Sequence, residues 1–134
     1  MNYMKIKYEK YINPTGQVAV LYSPEYGSGW SGMARDPDMA KAMLFDSRIV
    51  FEVLGKPPSE TWATRYDENY QEKISKWVKE LEIKMHGWGY SGIHLGGAKD
   101  LAIKWMEKGS VFRIQCDDGY ENILELVIPE HYIT

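Results

Sequence analysis

The sequence predicts an α+β fold in a single domain over residues 1–134. It is an antiparallel sheet, made of an N-terminal hairpin and a C-terminal three-stranded meander, with helices between them packed on one face. Three observations predict it. Apolar runs of strand type, bounded by turn residues, occupy both ends of the chain; helical periodicity fills the middle; turn signals join neighbouring end segments as hairpins. At 134 residues the chain can bury roughly two-thirds of the surface its unfolded form exposes, so no covalent staple is required.

Residues 2–11 alternate, with Tyr3, Lys5, Lys7 and Glu9 on one side and Met4, Ile6, Tyr8 and Lys10 on the other. Asn13-Pro14-Thr15-Gly16 then turns the chain, because proline presets φ and glycine takes the positive-φ position. Residues 17–22 form the returning strand.

Asp36-Pro37 suits a cap followed by proline at the first helical position, opening a short helix to residue 45. Asp46 or Ser47 caps a second, in which Ile49, Val50, Val53 and Leu54 share a face, and Gly55 with Pro57-Pro58 stops it. A longer amphipathic helix over 67–85 follows from Tyr70, Ile74, Trp77, Val78 and Leu81 at helical spacing, its charged residues forming a solvated face.

The meander begins at residues 101–106, where Leu101, Ile103 and Trp105 alternate with Ala102, Lys104 and Met106. Glu107-Lys108-Gly109-Ser110 turns into residues 111–116, and Asp117-Asp118-Gly119-Tyr120 turns again into a last strand over 122–128, ended by Pro129.

Sixteen basic residues against nineteen acidic leave a net charge of −3 with dispersed lysines, which argues against duplex nucleic acid as a partner. The single cysteine, Cys116, excludes an internal disulfide and reads as a buried thiol. No apolar run approaches the length of a membrane span, so a cytoplasmic protein without a membrane partner is expected.

Five tryptophans and ten tyrosines favour recognition over catalysis, since both side chains join large apolar area to a polar tip. Five of these fifteen occur with glycine in two segments. The first is Tyr22-Ser23-Pro24-Glu25-Tyr26-Gly27-Ser28-Gly29-Trp30-Ser31-Gly32, and the second runs from His86 to Gly97 with glycines at 87, 89, 92, 96 and 97. Either such segments are ordered turns whose rings fill the end of the sheet, or they are the walls of a ligand site.

Catalytic patterns fail on these segments. Ser23 or Ser31 can be drawn beside His86 or His94, but Tyr26-Gly27-Ser28-Gly29 is not a nucleophile elbow. Neither a phosphate loop nor a dinucleotide fingerprint is present, and His86, His94 and His131 match no zinc spacing. No catalytic residue, metal or cofactor is therefore assigned.

The chain resembles a family of small bacteriophage and prophage proteins, in which a strand leads into Tyr-Ser-Pro-Gly-Tyr-Gly-Ala-Gly-Trp, then a short acidic helix with a Phe-Asp pair, and later Gly-Gly, Asp-Leu and a strand–Gly–strand hairpin. Tyr22 to Trp30, Phe45-Asp46, Ile49-Val50, Gly96-Gly97, Asp100-Leu101, Trp105, Gly109 and Phe112-Arg113-Ile114 carry the resemblance over about two-thirds of the chain. Glu25 departs from it by replacing a glycine, and residues 59–89 are longer than its pattern. The resemblance supplies no catalytic residues and implies a phage source.

By analogy with phage proteins that sequester immune nucleotides, the expected function is anti-defence. The chain would bind a nucleotide-derived messenger, of cyclic ADP-ribose or cyclic oligonucleotide type, in the host cytoplasm without turning it over. Tyr22, Tyr26, Trp30, Trp88 and Tyr90 are the expected stacking faces, with Ser23, Gly27 and Gly29 offering polar and backbone contacts. Arg35 or Arg113 would hold phosphate, with Arg48 a further candidate cation. On this expectation Trp30→Ala removes binding without unfolding the chain. The alternatives are a protein–protein inhibitor of a host factor and a small enzyme cleaving a nucleotide signal; a homo-oligomer with sites between subunits is compatible with each.

Overall fold

The computed structural model describes residues 6–24, 29–31, 34, 36–57, 67–92, 95, 97–117, 120–125 and 132–134. Among these residues it is a mixed α+β arrangement of two small antiparallel sheets and three α-helices. β1 (Gln17–Tyr22) is followed by α1 (Pro37–Phe45), α2 (Ser47–Leu54) and α3 (Glu68–Gly87). Then come β2 (Ala102–Glu107), β3 (Val111–Asp117), β4 (Tyr120–Glu125) and β5 (Tyr132–Ile133).

β1 lies at the centre of the packing. Its continuous apolar run is buried on both faces, as such a run requires. Ala19 and Leu21 join Met43, Ile49, Val50, Trp77, Leu81 and Met85 in the larger core cluster. Val18 and Val20 meet Leu44, Phe45, Met106, Phe112 and Ile123 in the smaller one, where the Phe45 and Phe112 rings cross edge to face. α1 thus contributes to both clusters, and the helices are not confined to one.

The helices start where the sequence places them. The Asp36 side chain accepts the Asp38 N–H at 3.0 Å with Pro37 at the first helical position, and Asp46 accepts the Arg48 N–H at 3.0 Å. Asp67 caps α3, whose buried stripe is Ile74, Trp77, Leu81 and Met85.

Strand pairing departs from the expected meander. β2 pairs with β1, Gln17 opposite Glu107 and Tyr22 opposite Ala102, while the second sheet has the order β4-β3-β5. The reason lies at the turn between β2 and β3. Thr134 donates its hydroxyl to Glu107 O at 2.7 Å and its N–H to Ser110 O at 3.0 Å, which seats β5 on the edge of β3. β2 instead sets Trp105 against Ala19 and Ile103 against Leu21, extending the face over the larger cluster.

The N-terminal hairpin is also shorter than expected. The turn forms, with Gly16 at φ +86°, but the backbone pairing of residues 6–12 with β1 is limited to the Ile12–Val18 bridge and the Ala19 N–H to Tyr11 O bond among the described residues. Lys10 bridges Asp46 instead. The rest of that expected strand, residues 2–5, lies outside the described residues, as do the Asp118-Gly119 turn and the end of the last expected strand.

Candidate functional site

The first glycine-aromatic segment leaves the end of β1 and is closed by one carboxylate. Glu121, on β4, is fully buried. Its Oε1 accepts the Ser23 N–H and its Oε2 the Trp30 N–H, both at 2.9 Å, while the Glu121 N–H donates to Ser23 O at 2.8 Å. A carboxyl group taken from water is costly unless hydrogen-bonded, and this one offsets that cost by accepting from two loop donors.

The second segment is docked against the first. Ser23 Oγ donates to Gly97 O at 3.2 Å, and a Cβ added at Gly97 would collide with the carbonyl of Gly29. Only glycine permits so close an approach of two backbones. The two segments thus share a seam made of Ser23, Gly29 and Gly97.

A second buried carboxylate holds the start of the His86 to Gly97 segment. Asp46 is fully buried and accepts Tyr90 OH at 2.9 Å, together with Arg48 Nε at 3.0 Å and a terminal guanidinium nitrogen of Arg48 at 2.8 Å. Burial, reinforced by the Asp46 charge, pushes the Tyr90 hydroxyl far above its ordinary value, so it stays a protonated donor. The hydrogen bond to Asp46 raises the Arg48 pKa. The guanidinium also lies over the Trp88 ring, 4.8 Å from its centre.

The expected site residues are therefore distributed between core and surface. Trp30 is fully buried, its Nε1 donating to Met43 O at 2.6 Å, and Tyr90 is buried on Asp46; both rings serve packing, and neither offers a face to solvent. Ser23 spends its N–H, carbonyl and hydroxyl on Glu121 and Gly97. Tyr22 is half-buried against the smaller cluster, Trp88 is half-buried under Arg48, and Gly29 lies in the seam. Arg113 is exposed on β3 opposite Leu124, and Arg48 is committed to Asp46. Tyr26, Gly27, Arg35, His94 and His131 lie outside the described residues.

Glu121 escaped the sequence reading. Its one signal was alternation, which places it on the same face of β4 as Ile123, a core residue. Ser31, weighed from the sequence only as a nucleophile, is notable for a different reason. Its hydroxyl is buried next to Trp30 and has no hydrogen-bond partner among the described residues, an uncommon condition for a native polar group.

Among the described residues no group of three or more His, Cys, Asp or Glu side chains could hold a metal ion, and no helix is long and apolar enough to cross a membrane. An open groove of about 330 Å³ runs between α3 and the second segment, lined by Ile74, Ser75, Val78, Lys79, Leu95 and Lys99 among others.

No protein-family model, curated protein or solved structure matches the chain.

Proposed function

We propose that the chain captures a small nucleotide-derived ligand beside its two joined glycine-aromatic segments and releases it unaltered. On the resemblance to phage proteins, it acts as an anti-defence protein that lowers a nucleotide immune signal in the cytoplasm of a bacterial host. The observation that carries this reading is the seam itself. A fully buried Glu121 ties both ends of one loop, and Gly97 locks the other loop against it. Anchors that fix Ser23, Trp30 and Gly97 before a ligand arrives lower the entropic cost of binding beside them. The orphan hydroxyl of Ser31 in the same loop is consistent with a ligand contact.

Two structural findings alter the expected geometry. Trp30 and Tyr90 position the loops from the core, leaving Tyr22 and Trp88 as the half-buried rings of the described set. The test is thermal unfolding with cyclic ADP-ribose isomers and cyclic oligonucleotides at saturation. A rise in melting temperature, with the ligand recovered intact after denaturation, supports capture. No shift across the panel refutes it, and a cleaved ligand favours the enzyme alternative.

A protein inhibitor is the second reading, favoured by exposed apolar side chains on α2 and α3. Phe51 is 67% exposed, Leu54 52% and Ile83 73%. The two helices carrying them are bridged by the Glu52–Lys84 ion pair and by Trp77 Nε1 donating to Glu52 O at 3.2 Å. A host protein recovered in fixed ratio by the wild type and lost from Phe51→Asp would favour this reading over ligand capture.

A further inference from the structure

The seam lacks a described cation free to meet phosphate. Arg48 is occupied by Asp46, and the helix groove supplies what is missing. Along α3, Ile74, Ser75, Val78 and Lys79 recur at helical spacing on one face, and Leu95 and Lys99 complete the groove from the opposite side. Leu95 belongs to the second glycine-aromatic segment, and Lys99 stands in the 3₁₀ turn Ala98–Asp100 that follows it. The groove therefore opens along the segment that Gly97 joins to the first loop.

Its chemistry is that of an amphipathic anion site. Ile74 is buried at the floor, and half-buried Val78 and Leu95 supply apolar walls. Lys79 and Lys99 are exposed cations with no ion pair or hydrogen bond from their ammonium groups among the described residues. Two unpaired ammonium groups on one small groove create local positive potential on a chain of net charge −3. The Lys99 rim is itself held, because Lys56 Nζ donates to Lys99 O at 2.8 Å and to Leu101 O at 2.7 Å. Buried Ala98 anchors the same turn.

We infer that this groove seats one nucleotide unit of the ligand, with Lys79 and Lys99 on its phosphate and Val78 and Leu95 against its base and sugar; the inference rests on the ligand reading above. A volume of about 330 Å³ lies at the small end of ligand pockets, enough for one nucleotide unit. Ser75 adds a hydroxyl at the rim for the sugar or base edge.

The probes are AMP, adenosine and inorganic phosphate, titrated into the full chain and followed by methyl NMR and calorimetry. AMP should move the Val78 and Leu95 methyl signals, and should bind more tightly than adenosine or phosphate alone. The double variant Lys79→Ala, Lys99→Ala should weaken AMP binding by about tenfold or more. Val78→Trp, which fills the groove from a half-buried helix position, should abolish binding while circular dichroism stays unchanged.

If AMP binds the double variant as tightly as the wild type, or moves loop signals while Val78 and Leu95 stay still, the groove assignment is overturned and ligand capture survives. Adenosine binding as tightly as AMP would remove the phosphate role. If AMP and every nucleotide of the thermal panel fail to bind, ligand capture falls and the groove assignment falls with it.

Discussion

Trp30 and Glu121, 91 residues apart in the chain, are joined by a backbone N–H that donates to the buried Oε2 at 2.9 Å. The other carboxylate oxygen takes the Ser23 N–H, so one side chain bridges both ends of the loop. Replacing it strands two buried donors. Glu121→Ala should cost about 3 kcal/mol of stability. Glu121→Gln should cost less, about 1–2 kcal/mol, because the carboxamide keeps one acceptor. Urea unfolding of the three proteins checks the order.

Gly97 and Trp30 should respond as packing residues. Gly97→Ala forces a methyl against the Gly29 backbone, and the repulsion should cost about 1–3 kcal/mol. Trp30→Ala empties a fully buried site and leaves Met43 O without its indole donor, so about 3–5 kcal/mol is expected. Loss of ligand binding in Trp30→Ala would thus accompany loss of stability, contrary to the sequence-based expectation. Tyr22→Ala, at a half-buried ring, is the variant that separates the two effects.

Tyr90 ties stability to alkaline pH. Its folded-state pKa is raised above the unfolded value, first by burial and then by the Asp46 charge. The proton is retained in the folded state while the unfolded chain loses it, so this contribution is complete below about pH 10 and declines above it. Tyr90→Phe should lower stability at pH 7 by about 1–2 kcal/mol, through the hydrogen bond lost from Asp46, and should flatten the decline above about pH 10. Denaturant midpoints of both proteins across pH 8 to 11, a range set about the free tyrosine value, measure the difference.

Ser31 should show the opposite trade between stability and binding. Its buried hydroxyl has no partner among the described residues, so Ser31→Ala should be neutral or should stabilise the chain by up to about 1 kcal/mol. The same change should weaken any nucleotide found to bind. A melting temperature that rises while affinity falls supports the contact; unchanged affinity removes Ser31 from the site.

The local structure was legible because its causes are local. Asp36, Asp46 and Asp67 cap helices within two or three residues of themselves, and the spacing of Ile74, Trp77 and Leu81 marks the buried face of α3. The run Val18 to Leu21 likewise reads as a strand, and the fold covers it on both sides. The two glycine-aromatic segments stood out by composition, and the fold brings them into contact across Gly29 and Gly97.

Tertiary structure decided everything that depends on distant partners. A strand's own alternation does not specify its neighbour. β2 follows the better match of Ile103 and Trp105 to β1, and Thr134 hands the edge of β3 to β5. Aromatic composition could not say which rings face ligand, because burial is a property of the assembled core, and it took Trp30 and Tyr90 inward. Glu121 is the clearest case. A lone carboxylate on a strand reads as surface until the fold delivers, from about a hundred residues upstream, the two backbone donors that make its burial affordable.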